Sequence, residues 1–134
     1  MTPRADGLLD TSVFIAAESG RRIDIEALPD RSAVSVVTLA ELQAGVLAAS
    51  DLSIRARRLA TLSALDDMEM LPIDAEVARV WAQLRVHLAQ TGRRVNVNDT
   101  WIAATAISRG VPVVTQDTDF DVLEGVAGLE VVRV

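Results

Sequence analysis

The stretch "GLLDTSVFI", residues 7–15, sets one acid in the middle of an apolar run. Leu8 and Leu9 precede Asp10, and Val13, Phe14 and Ile15 follow it. "GLLD" (7–10) reads as a short buried strand ending on the acid, with a helix over about 12–19. A carboxylate in such a setting is costly unless it is paired, hydrogen-bonded or bound to a cation. A capping role excuses one such Asp. Whether other acids gather at the same place decides between the two readings.

Downstream, "SAVSVV" (32–37) is a second strand rich in β-branched residues. "TLAELQAGVLAAS" (38–50) and "LSIRARRLATLSALDDM" (52–68) are antiparallel helices joined by a short turn, and "EMLPI" (69–73) is a third strand. Val77, Val80, Trp81, Leu84 and Leu88 form one stripe at helical spacing. "NDTWIAATAISRG" (98–110) is a helix stopped by Gly110, where a left-handed cap is expected. "VPVVTQ" (111–116) and "LEVVRV" (129–134) close the chain as strands. Strands alternating with helices imply an α/β sandwich around a largely parallel sheet, one domain over 1–134. In such sheets, sites form beyond the carboxyl ends of the strands.

The 134 residues include no cysteine, which excludes a disulfide framework and thiolate zinc sites. No apolar run approaches a membrane span, and Asp6 and Asp10 interrupt any signal-peptide core, so a soluble cytoplasmic protein is expected. All 13 basic residues are arginine. The absence of lysine removes P-loop NTPases, Schiff-base chemistry and phosphotransfer sites that depend on that residue. A net charge of −6 counts against a polyanion partner unless several of the 19 acids serve a metal site.

Four acids fall at the carboxyl edge of the expected sheet. Asp10 ends the first strand, Glu41 lies on the first turn of the helix after the second, Asp99 opens the helix before "VPVV", and Asp117 follows that strand. Asp99 shares a helix side with Ile102, Ala103 and Ala106, and Glu41 aligns with Ala44, Gly45 and Ala48, which would permit close approach to the sheet. Capping accounts for each acid singly, and Thr38-x-x-Glu41 matches a capping box. Jointly, capping explains the gathering less well. Two carboxylates about 5 Å apart repel by roughly 3 kcal/mol at an effective dielectric near 20. A hard, oxygen-seeking cation such as Mg²⁺ or Mn²⁺ relieves that repulsion, whereas a single histidine and no cysteine do not suit zinc.

"LLDTSVFI", "TLAELQAG", "NDTWIAATA" and "VVTQDTDF" resemble, in order and across nearly the whole chain, the four signature blocks of PIN-domain nucleases of the VapC toxin type. The resemblance implies a three-layer α/β/α fold and metal-binding, catalytic roles for Asp10, Glu41, Asp99 and Asp117. It makes Asp119 an auxiliary metal ligand, although that residue would equally suit an exposed helical turn, and lets Ser12 and Thr115 orient carboxylates or bound water. The implied function is a Mg²⁺- or Mn²⁺-dependent endoribonuclease that restrains translation, leaving a 5′-phosphate and a 3′-hydroxyl. Implied partners are a VapB-type antitoxin, the RNA substrate and a second copy of the chain, with no membrane.

The residues themselves are consistent with that chemistry. Cleavage through the ribose 2′-OH often relies on histidines, and His87 sits on a helical stripe where a structural role is expected. Water activated by a cation needs no histidine. Arg93 and Arg94 are candidate RNA contacts, with Arg55, Arg57 and Arg58 as weaker ones set against a solvated-surface role. Few aromatics argue against base-stacking platforms; Trp81 is expected in the core and Trp101 in core or groove. The helix pair over 38–67 offers a surface for antitoxin or dimer, or a buried stripe. Alternatives sharing the acids are a DNA nuclease, a phosphatase, or a non-catalytic module that binds RNA or antitoxin.

Overall fold

A computed structural model describes residues 5–134. Strands β1 (Gly7–Leu9), β2 (Ser32–Ser35), β3 (Glu69–Leu71), β4 (Val113–Thr115) and β5 (Val131–Arg133) form one sheet in the order β3-β2-β1-β4-β5, and every neighbouring pair is parallel. Five helices join them: α1 (Thr11–Glu18), α2 (Val36–Ala48), α3 (Leu52–Ser63), α4 (Ala75–Thr91) and α5 (Val97–Arg109). The order reverses at β1, which places a topological switch point between the carboxyl ends of β1 and β4.

The three layers follow from strand alternation. Leu8, Ala33 and Val113 point into one core with Val77, Leu84 and Leu88 of α4 and Ile102, Ala103 and Ala106 of α5. Their neighbours Leu9, Val34 and Val114 point to the opposite core with Val13 and Phe14 of α1 and Leu42 of α2. Between α4 and α5, Trp81 and Trp101 stack with ring centroids 4.7 Å apart and planes at 13°. Both are half-buried against the first core, and the Trp81 Nε1 is buried without a hydrogen-bond partner among the described residues.

The helix ends are written locally. Asp74, Asp51 and Asn96 cap α4, α3 and α5 through backbone amides. Gly92 and Gly110 close α4 and α5 at φ 66° and 68°, a backbone region that glycine enters without steric cost.

The start of α2 differs from expectation. Val36 and Val37 are helical rather than the end of a strand, because the Ser35 hydroxyl accepts the Val37 amide and begins the helix there. Glu41 therefore lies on the second turn, and Thr38 is inside the helix and fully buried, so Thr38 and Glu41 form no capping box. The row Glu41, Gly45 and Ala48 does not meet the sheet either. Leu42 and Val46 are buried, whereas Gly45 lies beside Arg58 of α3. The helix expected over 52–68 ends at Ser63 and continues as a 3-10 turn over 64–67.

Candidate active site

Asp10 stands at the N-terminus of α1, yet its side chain caps nothing. It is 3% exposed, and its Oδ2 accepts the hydroxyls of Ser12 at 2.7 Å and Thr115 at 3.0 Å. Each hydroxyl has one proton, and both are given to the same oxygen. The 3.2 Å separation of Ser12 Oγ and Thr115 Oγ1 is then a meeting of two acceptors. The same hydroxyls accept the amides of Gln116 and Asp117, which fixes the chain as it leaves β4. Asp10 Oδ1 takes no hydrogen bond from the described residues.

A second relay orients Glu41. Thr11 Oγ1 donates to Glu41 Oε1 at 2.9 Å, so the buried Thr38 hydroxyl must be the donor in its 3.0 Å bond to Thr11. The sequence marks Thr38 only as a capping-box residue and gives Thr11 no role, since threonines at helix starts are unremarkable.

Asp10, Glu41, Asp99, Asp117 and Asp119 line one cleft of about 250 Å³. Asp99 is half-buried on the first turn of α5, and burial together with the charges of Asp10, Asp119, Glu41 and Asp117 pushes its pKa up to about 7. The Asp117 carboxyl is also raised, first by burial and then by Asp10 and Asp119, while Arg21 opposes the shift. Asp119 is solvent-exposed, but its charge reaches both neighbours. Arg21 also lines the cleft and went unnoticed in the sequence, since it lies in an irregular turn after Gly20.

The donor set is entirely oxygen, which fits a hard divalent cation. As they stand, no three His, Cys, Asp or Glu side chains among the described residues are set to hold a metal ion. The acids share a cleft, and their mutual repulsion opposes closer approach without a cation. A roomier hollow of about 560 Å³ lies beside the amino ends of β1 and β4. Its acids Asp6, Glu26 and Asp30 are solvent-exposed, and Asp6 is paired with Arg31 at 3.1 Å.

The arginines separate into two groups. Arg55 Nε donates to the Ala49 carbonyl at 3.1 Å and Arg58 Nη1 to the Gly45 carbonyl at 2.6 Å, so both close the C-terminal end of α2. Neither they nor Arg57 lines the acid cleft. Arg93 and Arg94 do not line the acid cleft; they share a separate exposed groove with Arg85. His87 lies on α4 away from the cleft.

The PIN domain family matches residues 7–126, a span that takes in β1 to β4 and every acid of the cleft. The chain belongs to that family, and within it to the VapC proteins. It is 61% identical over 133 residues to Ribonuclease VapC5 of Mycobacterium tuberculosis, covering 99% of this chain and 98% of the relative. A crystal structure of VapBC-5, a toxin–antitoxin system of the same organism, superposes with a TM-score of 0.89 at 58% identity over 96% of this chain and 98% of that one. A DNA-bound VapBC from Salmonella typhimurium matches at TM-score 0.80 and 26% identity, over 97% and 98% of the two chains.

Proposed function

We propose that this protein is a Mg²⁺- or Mn²⁺-dependent endoribonuclease, the toxin half of a toxin–antitoxin pair, which cleaves RNA phosphodiester bonds to restrain translation. The observation that carries the reading is the gathering of five carboxylates in one cleft, with Asp10 clamped and Asp99 pushed up to about 7. The relatives named ribonucleases lend it independent support.

Asp10, Glu41, Asp99 and Asp117, with Asp119 at the rim, would hold the cation. When bound, it supplies Lewis acidity that favours deprotonation of water and offsets charge building on the phosphate. The chain's own part is preorganisation. Ser12 and Thr115 fix Asp10 by one oxygen and leave Oδ1 clear of protein hydrogen bonds, and the Thr38–Thr11 relay fixes Glu41. Burial and the neighbouring acids favour the protonated form of Asp99, and positive charge entering the cleft would favour the carboxylate. No histidine lines this cleft, so proton transfer by imidazole has no candidate here.

The toxin–antitoxin structures that resemble this chain support a VapB-type antitoxin as its partner. A groove of about 280 Å³ shares Thr11, Ile15 and Glu41 with the acid cleft and continues over Leu42 and Arg58, which offers such a segment a seat next to the acids. Leu47 and Leu52, 77% and 81% exposed, supply apolar surface for pairing with a second copy.

The test is to incubate the protein with single-stranded RNA, structured RNA, DNA and a phosphomonoester, under Mg²⁺, Mn²⁺ or chelator. RNA fragments bearing 5′-phosphates, formed only with metal and lost in Asp10→Asn, are expected. Preferred turnover of DNA or the monoester would replace the ribonuclease with a related hydrolase. Growth arrest that persists in a folded, cleavage-dead Asp10→Asn protein would favour a binding module.

A further inference from the structure

We propose that Arg85, Arg93 and Arg94 form a cationic track that holds the RNA backbone on one flank of the acid cleft; this rests on the ribonuclease reading above. The three line one open groove of about 510 Å³, together with Leu88 and Gly92, and all three are solvent-exposed.

Their grouping is not a by-product of a basic surface, because the chain carries a net charge of −6. Most other described arginines are engaged. Arg31, Arg109 and Arg133 pair with Asp6, Asp74 and Asp121. Arg55 and Arg58 bond carbonyls of α2 and its C-terminal cap, Arg57 faces Asp51, and Arg21 faces Asp117. Arg85, Arg93 and Arg94 have no ion pair or side-chain hydrogen bond among the described residues. Three unpaired guanidiniums in one groove repel each other, and an anion relieves that repulsion.

The competing explanation is the C-terminal end of α4, whose carbonyls attract cations. Two of those carbonyls already have backbone partners: the amides of Gly92 and Arg93 reach Ala89 and Leu88. Arg85 also lies outside the last turn, where the dipole effect has faded.

Position then selects the anion. Arg94 precedes by two residues Asn96, which caps α5 and lines the acid cleft. Two residues of extended chain span at most about 7 Å, so the groove and cleft are consecutive along one loop. Guanidinium matches phosphate oxygens in a two-pronged geometry. With no aromatic ring in the lining, the track reads backbone rather than base.

Cleavage and binding of a single-stranded RNA by Arg85→Ala/Arg93→Ala/Arg94→Ala, compared with wild type from low to high salt, tests the track. Each arginine removed should lower the slope of log affinity against log salt by about 0.7, roughly two for all three, which makes the deficit about a hundredfold at 0.1 M salt and negligible near 1 M. The loss should fall in KM more than in kcat, and Arg93→Lys/Arg94→Lys should recover most of it. Arg79→Ala, on α4 outside the groove, should leave the slope unaltered. A triple variant with wild-type slope and KM overturns the track, as does one that loses melting temperature but not RNA affinity. If the triple variant does not fold, Arg94→Glu alone carries the same comparison. Absence of RNA cleavage by the wild type under every metal would instead fail the ribonuclease reading, and the track with it.

Discussion

Thr115 Oγ1 donates to Asp10 Oδ2 at 3.0 Å across the boundary between β4 and β1, and accepts the Asp117 amide at 3.0 Å. One buried hydroxyl thus ties together the acid-bearing segments just beyond two strands that are adjacent in the sheet, although Thr115 and Asp10 are 105 residues apart in sequence. Thr115→Val keeps the shape and removes both bonds. A hydrogen bond to a charged group contributes about 1.5–3 kcal/mol, so the metal-free protein should lose roughly that much in urea unfolding, and cleavage should fall with it.

Asp99 ties stability to pH. Its folded pKa of about 7 lies above the ordinary value of 3.8, so the folded state holds this proton more tightly than the unfolded chain does. The penalty is absent below pH 4, develops as pH rises towards 7, and is complete above it. Asp117 is shifted in the same direction. In metal-free protein, Asp99→Asn should raise the melting temperature at pH 8, leave it nearly unchanged at pH 4, and flatten the difference between them. Equal melting temperatures for wild type and variant at pH 8 would contradict the crowding of acids.

Added Mg²⁺ or Mn²⁺ should stabilise the protein by mass action, about 2.7 kcal/mol at a hundred times the dissociation constant. Differential scanning fluorimetry should show the rise in wild type and its loss in Asp10→Asn. No response of wild type to either ion would remove the cation from the proposed chemistry.

Phe120 is fully buried in the α4–α5 core directly after Asp119. It anchors the segment that carries Asp117 and Asp119. Phe120→Ala should cost about 3–5 kcal/mol from the cavity left behind. Cleavage measured well below the new melting temperature should fall as well, because the two acids lose their support.

The acid positions were legible because each interrupts an apolar strand edge or helix face, and Gly110 announced the end of α5 as a left-handed cap. Less visible was the start of α2, where Val36 and Val37 look like strand residues until Ser35 is seen to cap them. The contacts of Ser12 and Thr115 with Asp10 were implied only by the family resemblance, and the Thr38–Thr11–Glu41 relay was out of reach altogether. Thr11 and Thr38 meet only because the helices after β1 and β2 begin side by side, and Arg58 meets Gly45 only because α3 folds back on α2. Periodicity reports which face is apolar, and says nothing of which hydroxyl proton goes to which oxygen.

The indole pair gives the protein an internal optical probe. The chain has no tyrosine and two tryptophans, both in the one stack, and Trp101 stands two residues beyond Asp99 on the same helix. Near-ultraviolet fluorescence and circular dichroism therefore arise chiefly from a single coupled chromophore mounted on the helix that carries this acid. Any event that moves the first turn of α5 against α4 should change that signal, so occupancy of the cleft can be followed without a label.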